Sequence, residues 1–248
     1  YFKIYTRCGS DWSEGMEVSA IPSTTTSADY FRSKTSGDWS SAGTWQSSHD
    51  GSYWFDASSA PTTDANTISI QSGHTVTISS STAIDQVSVS GNLAISGSSV
   101  TVTVNNGEGT DILVKNGGIL TMGVTGGGWS FSTSATWEVE SGGTYIHNSA
   151  SAIGTPMDYL TLDVGSNFIY MGSSSLTPEI SVAGRSYYNL SFLSSSGSWS
   201  RTLTGTSSWT VNGKLTIGSG VTLSYGGAVA TNGDIDNYGS FSTNNLTI

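Results

Sequence analysis

The sequence predicts an all-β fold: a single-stranded parallel β-solenoid (β-helix) of roughly eight coils, with an aromatic-rich N-terminal cap and an extended N-terminal arm. Three observations predict it. Residues 66–123 alternate apolar and polar side chains in short runs, such as Ile68 and Ile70, Val76 and Ile78, Val87 and Val89, Leu93 and Ile95. A period of two buries one face of a strand and wets the other, and no single run can bury its face alone, so successive copies must stack. Glycine follows closely behind nearly every run, at Gly73, Gly91, Gly117, Gly142, Gly165, Gly184, Gly213 and Gly233, where the corners of a coil demand positive φ. Finally, no stretch carries a helical period.

Composition narrows the class. Only 10% of the 248 residues are charged and 31 are glycine. Such a chain would read as disordered but for the regular Val, Ile and Leu, which supply a continuous core. The net charge of −10, from 18 acidic and 8 basic residues, disfavours nucleic acid and anionic membrane surfaces as partners. It is compatible with calcium. The single cysteine, Cys8, excludes an intrachain disulfide and leaves the redox compartment unread; an inert thiol is expected. No apolar run is long enough to span a bilayer. The chain starts at Tyr1 rather than methionine and shows no signal peptide, as expected of a mature or trimmed product.

Taken in order, residues 1–29 lack the repeat. Residues 1–5 read as one strand and 19–28, SAIPSTTTSA, as a linker or arm. The segment is expected either to cap the rod or to add its strand to a neighbouring molecule. Residues 30–65 concentrate Tyr30, Phe31, Trp39, Trp45, Tyr53, Trp54 and Phe55. Large aromatics there are expected to cover the open first turn; the alternative is a platform, through Trp45 and Trp54, that stacks on sugar rings. Residues 66–248 form the solenoid. Its register is read through Ile70, Val89, Val114, Val139, Val164, Val182, Val211 and Val229, at irregular steps of about 18 to 29 residues, too short for propeller blades. Stacked at about 4.8 Å per coil, the coils would make a rod roughly 40 Å long. Asn105, Asn106, Asn116, Asn212 and Asn232 suit corners and side-chain ladders. Residues 124–158 are less regular, with a loop expected at 149–158.

Chemistry-bearing residues are sparse. His49, His74 and His147 stand apart from one another, and thiolate zinc is excluded. Weak calcium candidates are Asp234 and Asp236 in NGDIDN, and Asp111 in NNGEGTD; turn oxygens suit that ion, although turn chemistry alone explains both loops. Glu138 and Glu140 share a strand face, as do Asp234 and Asp236, but neither pair has a base beside it in sequence, and glycoside hydrolysis needs two placed carboxyls. There is no nucleophile elbow and no phosphate loop. No catalytic residue and no enzymatic activity are expected.

Two stretches carry a resemblance: GDWSSAGTW, Pro61 before ANTISI, SGHTVTI and GNLAIS in residues 30–123, and YYNLSF, RTLTG, WTVNGKLTIGSGVTL and NYGSF in residues 187–241. They resemble the secreted β-solenoid repeat proteins of Bacteroidetes type, including the extracellular domain family named for its eight conserved glycines. The resemblance implies secretion, extracellular or cell-surface placement, and an adhesive or structural role. The repeat runs on to Ile248, and an open solenoid end invites pairing with another chain. The expected function is therefore a structural extracellular subunit of a fibre, filament or sheath. It would form a homopolymer by end-to-end stacking and strand addition through Tyr1, Phe2, Ile4, Tyr5, Leu246 and Ile248. A carbohydrate-binding adhesin is the alternative, and a polysaccharide lyase or hydrolase a third reading; no membrane insertion is expected.

Overall fold

In a computed structural model, residues 2–5, 7–12, 15–18, 24–153, 155–203 and 205–248 are described. Among them, the chain winds into a parallel β-solenoid of about seven turns, one fewer than the sequence count. One face is an eight-stranded sheet. From the C-terminal side it runs Leu160–Leu162, Trp137–Val139, Ile112–Val114, Val87–Val89, Thr67–Ile70 and Tyr30–Ser33, and ends in Trp45–Ser48 and Phe55–Asp56. The second face is a nine-stranded sheet from Gly37–Asp38 through Thr75–Ile78 and Asn92–Gly97 to Leu215–Ile217 and Ile235–Asn237. A third face joins Thr82–Ile84, Val100–Val104 and Gly127–Phe131.

Alternation in the sequence becomes columns in the interior. Ile70, Val89, Val114 and Val139 stack in register along the first face. Val76, Leu93, Leu120, Tyr145, Phe168, Leu190 and Leu215 stack along the second. Val89 and Val114 are fully buried. Glycine holds the corner before the second face because the preceding coil passes through the space a side chain would need. A Cβ on Gly118 would lie 2.0 Å from the Val89 carbonyl oxygen, and one on Gly91 2.2 Å from that of Gln71. Asparagines ladder between coils, Asn232 Nδ2 donating to Asn212 Oδ1 at 2.8 Å. Asn189 Nδ2 likewise donates to Asn167 Oδ1 at 3.1 Å, a pair the sequence reading did not pick out.

The register departs from the expected one in the second half. Leu162, not Val164, continues the column from Val139, and Val164 is 74% exposed. Val182 is buried but lies in no strand. Val211 pairs with Tyr187 and Thr231, while Val229 pairs with Trp209. The cause is an interruption of the third face. Among the described residues no third-face strand occurs between Gly127–Phe131 and Trp199–Leu203. A 3-10 turn at Thr155–Tyr159 and an irregular segment at 177–182 stand there instead. The core responds by exchanging aliphatics for rings: Trp137, Tyr145, Phe168, Tyr170, Tyr187 and Phe192 are all buried. Tyr170 and Tyr187 both donate to the Ser181 carbonyl, at 3.1 and 3.0 Å, so hydroxyls replace the missing ladder. Beyond this, Val221–Thr231 runs through what was a corner, pairing first with Trp199–Leu203 and then with Trp209–Val211.

The 30–65 segment lies on the first rung. Tyr30–Ser33 pairs parallel with Thr67–Ile70 and antiparallel with Trp45–Ser48. Phe31, Trp39 and Trp45 are buried, and the two indoles meet edge to face at 5.1 Å. Phe2–Ile4 forms the strand expected within residues 1–5, but the arm is folded rather than extended, and residues 19–23 of the expected linker lie outside the described residues. Phe2–Ile4 pairs antiparallel with Met16–Val18, and Arg7–Cys8 with Asp11–Trp12, so the segment closes on itself as a nested hairpin; the exposed Cys8 lies near its tip. Tyr1 lies outside the described residues.

Candidate functional site

The chemistry-bearing residues are scattered, and most are satisfied by neighbours that the sequence separates widely. His49 Nδ1 meets the buried Asp29 carboxylate at 2.6 Å, and His74 Nδ1 meets Ser33 Oγ at 2.9 Å. Trp45 cannot stack on a sugar: it is fully buried, and its Nε1 donates to the Trp39 carbonyl at 2.8 Å. That removes Trp45 from the alternative reading, the sugar-stacking platform. Trp54 is half-buried, with the Arg32 guanidinium 4.3 Å over its ring, a cation–π contact that occupies one ring face.

Glu138 points outward from the first face between Leu113 and Thr161. Asp236 does acquire a base the sequence did not show. Lys214, one coil earlier, forms an ion pair with it. The hydrogen bond and charge of Asp236 raise the lysine above its usual range, and Asp234 adds to the effect. A lysine held this way keeps its proton and is a poor base. Among the described residues no three His, Cys, Asp or Glu side chains gather as a metal would require.

The most unusual chemistry lies at Asp111, which pairs with a residue the sequence analysis passed over. Asp111 is completely buried. Its Oδ1 accepts the Gly107 N–H at 2.7 Å and its Oδ2 the Thr136 N–H at 2.6 Å. Oδ1 thus closes the corner loop, residues 105–111, on itself, and Oδ2 ties it to the next coil. Against it lies Asp85, only 8% exposed, whose buried Oδ1 has no hydrogen-bond partner among the described residues. Desolvation first, then the hydrogen bond and charge of Asp111, push Asp85 up to about 6. Asp111 already answers two donors, so Asp85 takes the proton the pair shares. Gln86 completes the corner at φ +50° and donates from Nε2 to the Glu108 carbonyl at 3.2 Å. The signal present in the sequence is position alone: Asp85 stands two residues before the inward Val87, and Asp111 directly before Ile112.

At the far end, Ser240–Thr247 pairs with Val221–Thr231 along one edge. Among the described residues its other edge has no strand partner. Phe241 packs against Trp209 at 6.3 Å, whereas Leu246 is 40% and Ile248 85% exposed. Of the remaining assembly candidates, Tyr5 is about half exposed and lies against Gly15, and Phe2 and Ile4 sit in the first hairpin strand. No family profile, curated protein or solved structure matches the chain.

Proposed function

We propose that this chain is a structural protein of the cell exterior, a rod that polymerises into a fibre or sheath when a second copy adds a strand to the Ser240–Thr247 rung. The observation that carries the reading is that rung. Among the described residues it pairs through one edge, with Val221–Thr231, and the apolar Leu246 beside it is exposed, an arrangement able to take a further strand. Direct stacking of one coil on another copy's first coil is disfavoured, because the antiparallel Trp45–Ser48 and Phe55–Asp56 cover that rung on the first face. The donor is instead the N-terminal hairpin, whose Phe2–Ile4 strand pairs on one side with Met16–Val18. A head-to-tail contact of this kind does not close on itself and propagates. The outward Ser and Thr positions of the coils make a wettable shaft suited to that role.

Negative-stain microscopy across a wide concentration range tests the reading. Filaments are expected, and Leu246→Lys or removal of residues 1–23 should leave only single rods. Monodisperse particles at every concentration would refute it. Surface labelling of intact cells with an antibody to the rod checks the placement.

A further inference from the structure

We propose that Tyr145 is a redox-active tyrosine, an internal one-electron donor that takes charge from the surface through Trp129 and passes its phenolic proton to His147. Three side chains from two faces of the solenoid form one directed hydrogen-bonded line. Trp129 Nε1 donates to the Tyr145 hydroxyl oxygen at 3.1 Å. The Tyr145 hydroxyl lies 3.2 Å from His147 Nδ1, and His147 Nε2 lies 3.0 Å from the Ser151 carbonyl oxygen.

The directions are fixed by what each end is able to do. An indole N–H only donates and a carbonyl only accepts. Nε2 of His147 therefore carries the ring proton, Nδ1 is left as an acceptor, and the Tyr145 proton points at Nδ1. Both residues are buried to within 1%. Burial holds His147 down at about 4, so the ring is neutral and free to accept, while burial pushes the Tyr145 phenol far up. A phenol this costly to ionise does not lose its proton first. It gives up an electron and a proton together, and only where a base is already placed.

The step balances with a one-electron oxidant of the high-potential metal-complex class, docked at the surface. One electron leaves Tyr145 for the oxidant, the O–H bond breaks, and the proton forms an N–H bond at Nδ1. The products are a neutral tyrosyl radical, an imidazolium and the reduced oxidant. The imidazolium charge remains beside the Ser151 carbonyl, a hydrogen bond that strengthens when its donor becomes charged. Trp129 is half-buried and reaches solvent, and the buried Trp137 ring meets that of Tyr145 edge to face at 5.0 Å. Phe168 closes the other side at 4.9 Å, so water does not reach the radical.

Flash oxidation by a photogenerated ruthenium(III) polypyridyl complex, read by transient absorption and freeze-quench electron paramagnetic resonance, tests this on the whole chain. The parent protein should give a tyrosyl signal with a long-lived component beyond that of the exposed Tyr53 and Tyr238. Tyr145→Phe, which preserves the packing, should remove that component. In His147→Phe the rate of tyrosyl formation should fall at least ~10-fold, since a placed base contributes that much or more to proton transfer, and an indole radical should accumulate instead. Trp129→Phe should slow formation while leaving the lifetime unchanged. If Tyr145→Phe matches the parent in yield and decay, or if His147→Phe, folded as judged by circular dichroism, forms the long-lived radical at the parent rate, the proposal is overturned.

Discussion

Replacing Asp85 by asparagine should make this protein more stable at neutral pH and remove part of its pH dependence. Asp85 has its folded value raised from 3.8 to about 6. A group raised on folding contributes stability that is fully present below its unfolded value and lost as the pH climbs through the folded one. The parent should therefore lose stability from this site between about pH 4 and pH 7. That displacement corresponds to about 3 kcal/mol as a ceiling, and relaxation of a corner loop reduces this to ~1–2 kcal/mol. In Asp85→Asn the amide N–H replaces the shared proton and donates to Asp111 at every pH. Near pH 4 the variant should match the parent to within ~0.5 kcal/mol. Near pH 8 it should melt about 4 °C higher, the shift expected of ~1–2 kcal/mol in a chain of this size. Calorimetric melts of both proteins across that range make the comparison. A difference that stays flat with pH, or a variant less stable than the parent near pH 8, would refute the shared-proton geometry.

Other perturbations have defined outcomes. Asp111→Asn should cost ~1.5–3 kcal/mol in urea unfolding, because the amide meets one of the Gly107 and Thr136 N–H donors with another donor. Leu93→Ala, in the column between Val76 and Leu120, should cost ~2–5 kcal/mol, whereas Val164→Ala should stay within ~0.5 kcal/mol because that side chain is in water; a large loss at Val164 would restore the register read from sequence. Gly118→Ala should cost ~2 kcal/mol or more, since its Cβ would collide with the Val89 carbonyl; an unchanged unfolding midpoint would sink that explanation of the corner.

Much of the architecture was legible in the chain itself. Alternation at Ile68 to Ile95 determines which side chains face inward, and this is local geometry set by the two-residue period of a strand. Short, variable spacing with glycine at the corners then leaves stacked parallel coils as the arrangement that buries those faces. What the sequence did not determine was how one coil sits on the next. That depends on corner and loop lengths summed over a whole circuit, so an irregular circuit such as 148–185 can shift the register and expose Val164 while burying Trp137 and Tyr145. Whether Trp45 meets water or the Trp39 carbonyl, and which groups the Asp111 carboxylate meets, depends on residues a turn or a full coil away. Those contacts are set by tertiary packing, because the energy of a buried polar or aromatic group is decided by its neighbours in space and not by its place in a local pattern.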